Sequence, residues 1–137
     1  MKKIIFQFFF FLFFLVPSLI YCQYSFSTDY IELCNWKENI KKWSNDCEDA
    51  PADGLFVVNE AETIITMTNS EGKQTFYIQG ENQSDEDSGL VSWDIVSDEG
   101  ETLYIIFDFN NSKIKLLDLQ GKSERWMMAI FNVKSTF

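Results

Sequence analysis

Several carboxylates stand close together in one polar stretch of the sequence, where they could bind a hard cation. Glu81, Asp85, Glu86 and Asp87 are interspersed with amide and hydroxyl side chains, and calcium prefers oxygen ligands of these kinds. The alternation of acidic residues that precedes the glycine of an EF-hand loop is not met before Gly89. We therefore interpret the stretch as a solvated acidic loop and assign no metal site to it.

Catalysis by imidazole is excluded, because the chain contains no histidine. That absence removes Ser-His-Asp and Cys-His nucleophiles and His-ligated metal and haem sites. The enzyme class that remains as a candidate uses paired carboxylates, as in a glycosidase, and Asp94 and Asp108 stand on predicted strands. Serine, threonine and lysine nucleophiles remain open, but none stands in a recognisable motif. Because any acidic chain offers such pairs and no catalytic motif accompanies them, we assign no catalytic residue and no cofactor.

Aromatic side chains are the remaining candidates for recognition. Rings that line the mouth of a small barrel could bind an apolar or carbohydrate ligand, whereas rings at strand spacing can also be ordinary core residues. The candidate ligand-facing aromatics are Trp36, Trp43, Trp93, Trp126, Tyr77 and Tyr104.

Net charge limits the partners. The chain has 11 Lys and Arg against 21 Asp and Glu, and Lys2 and Lys3 are the only charged residues among the first 22. A negative surface repels the phosphate backbone, which disfavours nucleic acid and anionic membranes. A protein partner or a small ligand remains open, and the sequence gives no oligomeric state.

The first 22 residues have the order of a signal peptide. Lys2 and Lys3 form a basic region, an apolar run rich in phenylalanine follows, and Pro17 opens a more polar stretch that ends at Cys22. We expect cleavage after Cys22, so that residues 23–137 form one secreted or periplasmic domain without a membrane span. Lipidation of Cys22 is the alternative, but Tyr21 stands where lipoprotein processing requires a small residue.

Two cysteines remain after the leader, Cys34 and Cys47. In an oxidising compartment such a pair normally joins, so we predict a disulfide. The loop it closes is worth about 3 kcal/mol in the chain-entropy model.

The chain from Leu55 onward has the pattern of an all-β protein. Short apolar and β-branched runs are separated by turn residues, and the clearest turn is Asp98-Glu99-Gly100. Residues 102–109 are apolar on nearly both faces, which indicates a central strand paired with residues 90–97. Short connections favour a single antiparallel meander of about six to eight strands that curls into a barrel or half-barrel.

Residues 29–47 allow two interpretations. Leu33, Trp36, Ile40 and Trp43 recur at helical spacing, which predicts a short amphipathic helix. The alternation that runs from Tyr24 through residue 33 predicts a strand instead. Trp36 and Trp43 would then flank a turn in a hairpin joined by the two cysteines, and we favour this second interpretation.

The chain resembles a group of uncharacterised small secreted β-rich proteins of flavobacterial (Bacteroidetes) type. The features that carry the resemblance are the lysine-led phenylalanine-rich leader, the Trp36 and Trp43 pair, the strands at residues 55–59 and 75–78, and the turn at residues 98–100. The resemblance implies an extracytoplasmic β-rich module and brings no catalytic residues with it.

These observations favour a non-enzymatic secreted binding or interaction module. Its expected partner is a protein or a small apolar or carbohydrate ligand, and a single apolar cavity lined by Trp and Tyr would distinguish it. The alternatives are a carboxylate-based hydrolase such as a glycosidase, or a lipid-anchored envelope protein.

Overall fold

The computed structural model describes residues 23–118 and 127–137, and these residues form β-strands and turns with no α-helix. None of the described residues forms a helix long and apolar enough to cross a membrane. In chain order the strands are β1 (Tyr24–Lys37), β2 (Lys42–Trp43), β3 (Glu48–Val58), β4 (Ile64–Asn69), β5 (Gly72–Asp85), β6 (Leu90–Ser97), β7 (Thr102–Asp108), β8 (Lys113–Asp118) and β9 (Met127–Thr136).

The strands close into an antiparallel barrel. β1 and β3 to β9 pair in chain order, and β9 returns to pair with β1, so eight strands form the barrel and β2 is an additional short strand on β1. Closure satisfies the backbone groups that an open sheet would leave unpaired at its two edges. The prediction of an antiparallel meander curling into a barrel is therefore confirmed.

The interior is filled by the side chains that alternate inward along each strand. Large apolar residues dominate it, and their fractional exposure is a few per cent or less. They are Phe26, Phe56, Val58, Ile65, Phe76, Trp93, Ile95, Ile105, Phe107, Ile114 and Phe131.

β7 lies between β6 and β8, as the sequence predicts. Its pairing with β6 places Ile105 opposite Trp93 and Ile95 opposite Leu103, through the predicted turn at residues 98–100. Ile105 is fully buried, whereas Ile106 on the outer face is only half-buried. β7 therefore has apolar residues on both faces, but of these two isoleucines only the inward one is fully buried.

Residues 29–47 form the hairpin, and the helical interpretation is wrong. β1 continues to Lys37, and Trp36 pairs with Trp43 in the register of β1 and β2. The strand prevails because β1 is paired on both sides, with β3 and with β9, which a helix could not provide. Cys34 and Cys47 form the predicted disulfide, with their Cα atoms 4.5 Å apart.

Two strands are longer than the sequence predicts. β3 begins at Glu48, and at Gly54 it lies so close to β1 that an added Cβ would stand 2.8 Å from Oγ1 of Thr28. β5 continues to Asp85 through an irregularity at residues 79–83, where Gly80 has a φ of 76°. The sequence predicts an acidic loop at residues 80–89, but most of this stretch is strand. Its backbone pairs with β6 although its polar side chains are typical of a loop.

Candidate functional site

An open cavity of about 230 Å³ lies at one end of the barrel. This end, which we call the mouth, carries the β3–β4, β5–β6 and β7–β8 loops together with residue 24 and the last residues of β9. The cavity is lined by Tyr24, Phe26, Val58, Glu62, Asn82, Val91, Trp93, Phe107 and Phe109.

Four aromatic rings form a continuous wall of the cavity. The ring of Phe107 lies 5.0 Å from that of Phe26 and 5.5 Å from that of Trp93, the latter in an edge-on contact. Phe109 extends the wall outward, with its centroid 6.1 Å from Phe26 and 6.4 Å from Phe107. Phe26, Trp93 and Phe107 are buried, but Phe109 is 52% exposed and so presents its ring at the opening.

The exposed ring of Phe109 is positioned by contacts between two mouth loops. The backbone N–H of Phe109 donates to the carbonyl of Gly89 at 3.0 Å. Beside it, the side-chain amide of Asn110 donates to the carbonyl of Ser88 at 2.7 Å. Gly89 has a φ of 66°, and a Cβ there would stand 2.8 Å from the Asn110 side chain. The glycine therefore permits the close approach that fixes the opening.

The polar part of the lining consists of Glu62 and Asn82. The Asn82 amide donates to Oε2 of Glu62 at 3.2 Å and so links the β3–β4 loop to the far part of β5. The loop is held at its base by Asn59, whose side-chain oxygen accepts from the backbone N–H groups of Thr63 and Ile64 at 2.8 and 2.9 Å. Glu62 is half-buried, so its carboxylate faces the cavity edge from a defined position.

A buried carboxylate lies just below the mouth. Asp108 is 4% exposed and accepts hydrogen bonds from Lys115 at 3.0 Å and from the side chain and backbone of Asn111. Burial raises the pKa of Asp108, but the hydrogen bonds from Lys115 and Asn111 outweigh it and hold the pKa below its usual range. Lys115 belongs to β8 and Asn111 to the β7–β8 turn, so this group of hydrogen bonds holds the turn that carries Phe109.

Asp108→Asn should lower the free energy of unfolding at pH 7 by about 1 to 3 kcal/mol, because it removes the charge of a buried acceptor from its hydrogen bonds with Lys115 and Asn111. Since the pKa is lowered in the folded protein, the stabilisation is present above the unfolded value of about 3.9 and is lost as the pH falls through the folded value. Urea melts at pH 7 and at pH 3 should show the difference between wild type and variant shrinking at the lower pH.

The matched control for this prediction is Asp94→Asn, because Asp94 is an exposed aspartate on the neighbouring strand β6. It should change stability by no more than about 0.5 kcal/mol at either pH. A loss in Asp108→Asn that is the same at both pH values would contradict a role for the charge.

The six aromatics singled out from the sequence do not lie together. Trp93 lines the cavity, whereas Trp36 and Trp43 contact each other on the hairpin with ring centroids 5.4 Å apart. Tyr77 is 47% exposed on the wall, and the hydroxyl of Tyr104 forms a 2.6 Å hydrogen bond with that of Ser92.

Trp126 lies outside the described residues, as do the leader and Cys22. The assignment of these six residues to a ligand stays a prediction.

The sequence reasoning did not single out Tyr24, Phe26, Phe107 and Phe109 as site residues. In the sequence, Phe107 and Phe109 alternate onto the apolar face of the strand predicted at residues 102–109. Their position next to a predicted turn is the feature that could have identified them as site residues. Inward-facing rings at the same end of several strands must meet at one mouth once the sheet closes.

The carboxylates that suggested chemistry are dispersed. Glu81, Glu86 and Asp87 are exposed, and Asp85 accepts from Ser88 within its own turn, which lowers the pKa of Asp85. Among the described residues no three acidic or cysteine side chains are grouped as metal ligands would be. Of the described residues that line the cavity, Glu62 is the one acid, so the cavity lacks the facing pair that a glycosidase needs.

Comparison of the chain with protein-family models, with curated proteins and with solved structures finds no match.

Proposed function

We propose that this protein is a secreted, non-enzymatic binding module that takes a small, mostly apolar ligand into the barrel mouth. The observation that carries the proposal is the open cavity walled by Phe26, Trp93, Phe107 and Phe109. Export is supported by the order of the first 22 residues, by the resemblance to small secreted proteins, and by the Cys34–Cys47 disulfide, since such bonds persist in oxidising compartments.

The size of the cavity indicates the size of the ligand. An enclosed apolar cavity of about 150 Å³ is enough to bind benzene, and sites for drug-sized ligands begin at about 300 Å³. The cavity here, at about 230 Å³, lies between them. It therefore suits one or two fused rings or a short branched chain, and because it is open, a longer ligand can project from it.

The lining favours an apolar body over a sugar. Seven of the nine lining residues are aromatic or aliphatic, and only Glu62 and Asn82 have hydrogen-bonding side chains other than the Tyr24 hydroxyl and the Trp93 indole. A carbohydrate carries hydroxyls around the edge of its ring, and in this cavity they would lose hydrogen bonds to water without enough replacements. An apolar ring, in contrast, gains from contact with the aromatic wall.

A titration with N-phenyl-1-naphthylamine, a neutral dye that fluoresces in apolar surroundings, tests the proposal. Residues 23–137 should give a saturable rise in fluorescence with one dye per chain. Phe109→Ala should weaken binding about tenfold, because a large ring contributes about 1.5 to 3 kcal/mol when buried and each 1.4 kcal/mol is tenfold in affinity.

Tyr77→Ala is the matched control, because Tyr77 is about as exposed as Phe109 but does not line the cavity. It should leave the dissociation constant unchanged. An unsaturable rise, or equal weakening by the two variants, would show that the dye binds the surface and that the mouth is no site.

A further inference from the structure

We propose that the mouth selects organic cations, that is, ligands whose apolar body carries a quaternary or protonated amine. This inference rests on the proposed binding function and adds the charge of the ligand to it. Three features carry it: the aromatic faces of the cavity, the carboxylate in its lining, and the charge of the surrounding loops.

The aromatic wall supplies the first feature. A cation within about 6 Å of a ring centroid is attracted by the negative face of the ring, and aromatic cages bind quaternary ammonium groups in this way. Phe26, Phe107 and Phe109 have centroids 5.0 to 6.4 Å apart, and Trp93 and Tyr24 complete the lining. These rings pack against one another, so a compact cationic group that sits on this wall would contact more than one of them.

The carboxylate of Glu62 supplies the second feature. It lines the same cavity and is oriented by the amide of Asn82. In partly desolvated surroundings an opposite charge at contact distance is attracted more strongly than in water. Among the described residues, no lysine or arginine lines the cavity. A bound cation would therefore supply the positive charge that pairs with Glu62 there.

The mouth loops supply the third feature. Residues 59–63, 86–89 and 109–112 contain four carboxylates and no lysine or arginine. Of the lysines at the start of β8, Lys115 pairs with Asp108 at 3.0 Å. Lys113 lies 3.8 Å from Glu32 and lines a smaller neighbouring pocket, outside the cavity of the mouth. Lys134 is the one lysine among the last residues of β9, and the four loop carboxylates outnumber it. The field at the opening therefore attracts cations and repels carboxylates such as fatty acids.

Three probes of nearly the same shape separate charge from size. Choline carries a trimethylammonium group, 3,3-dimethylbutan-1-ol has a tert-butyl group in its place, and 3,3-dimethylbutanoate adds a negative charge to that apolar group. Titrations of residues 23–137, followed by amide NMR shifts or by dye displacement, should show choline binding at least about fivefold more tightly than the alcohol. The carboxylate should bind more weakly than either.

Glu62→Gln tests the lining carboxylate with little change of shape. It should bring the affinity for choline close to that for the alcohol. Glu60→Gln is the matched control, because Glu60 is exposed in the same loop and does not line the cavity. It should reduce choline binding by less than twofold.

The outcomes separate the two proposals. Equal affinities for choline and the alcohol, or dye binding without any choline binding, would overturn the selection of cations and leave the binding function in place. Failure of the dye and of all three probes would overturn both. An equal effect of Glu60→Gln and Glu62→Gln would show that only the general negative field acts and would overturn the role of Glu62.

Discussion

Ile105→Ala should lower the free energy of unfolding by about 2 to 5 kcal/mol, because it removes three carbons from a packed interior and leaves a cavity. Ile105 is fully buried on β7, and β7 is paired with β6 on one side and with β8 on the other. A domain of this size has only about 5 to 15 kcal/mol of stability, so the variant should lose a large share of it. Denaturant melts followed by tryptophan fluorescence measure the change.

Two variants serve as controls for Ile105→Ala. Ile106→Ala makes the same chemical change one residue further along, on the half-buried outer face, and should cost less than half as much. Lys73→Ala, at an exposed position at the start of β5, should change stability by no more than about 0.5 kcal/mol. Equal losses in Ile105→Ala and Ile106→Ala would mean that the inward and outward faces of β7 are wrongly assigned.

Removal of the disulfide should cost about 3 kcal/mol. The bond joins Cys34 and Cys47, 13 positions apart, and limits the freedom of that loop in the unfolded chain. Cys34→Ala/Cys47→Ala should therefore melt at lower denaturant, and a thiol assay on unreduced, denatured residues 23–137 should find no free sulfhydryl.

The control for the disulfide is a reducing agent. Reductant should leave the stability of the double variant unchanged. It should lower the stability of the wild-type domain to nearly that of the double variant; the small remaining difference is the cost of truncating Cys34, which is 2% exposed. Two free thiols in the unreduced protein would contradict the bond. Unchanged stability on reduction would show that the hairpin is held by its pairing with β3 and β9 alone.

Strands with clear alternation and turn chemistry were predictable from the sequence. Residues 90–97 form β6 with the predicted bounds, and the turn at residues 98–100 joins it to β7. The extension of β3 back to Glu48 was not predictable, because its residues 48–54 include Pro51, Gly54 and three acids that are typical of loops. Their backbone groups pair with β1, and a partner distant in sequence overrode the local preference.

The cavity was less predictable than the strands. The sequence indicates which rings alternate inward, but it does not say at which height along the barrel each one sits. That height depends on the register of neighbouring strands, such as Val58 opposite Tyr24 and Phe107 opposite Val91. Trp93 is a candidate from the sequence because it is a tryptophan. In the sequence Phe26 and Phe107 look the same as any other phenylalanine of the core.

The pairing of β1 with β9 joins two strands that are far apart in the sequence. Phe26 lies opposite Thr136, and Ser25 and Phe137 exchange backbone hydrogen bonds, so the earliest and latest described residues are neighbours. Until β9 pairs with β1, both β1 and β8 have an open edge that can capture another chain. The adjacency of the two ends also means that a short linker could join them, which makes the barrel a good scaffold for circular permutation.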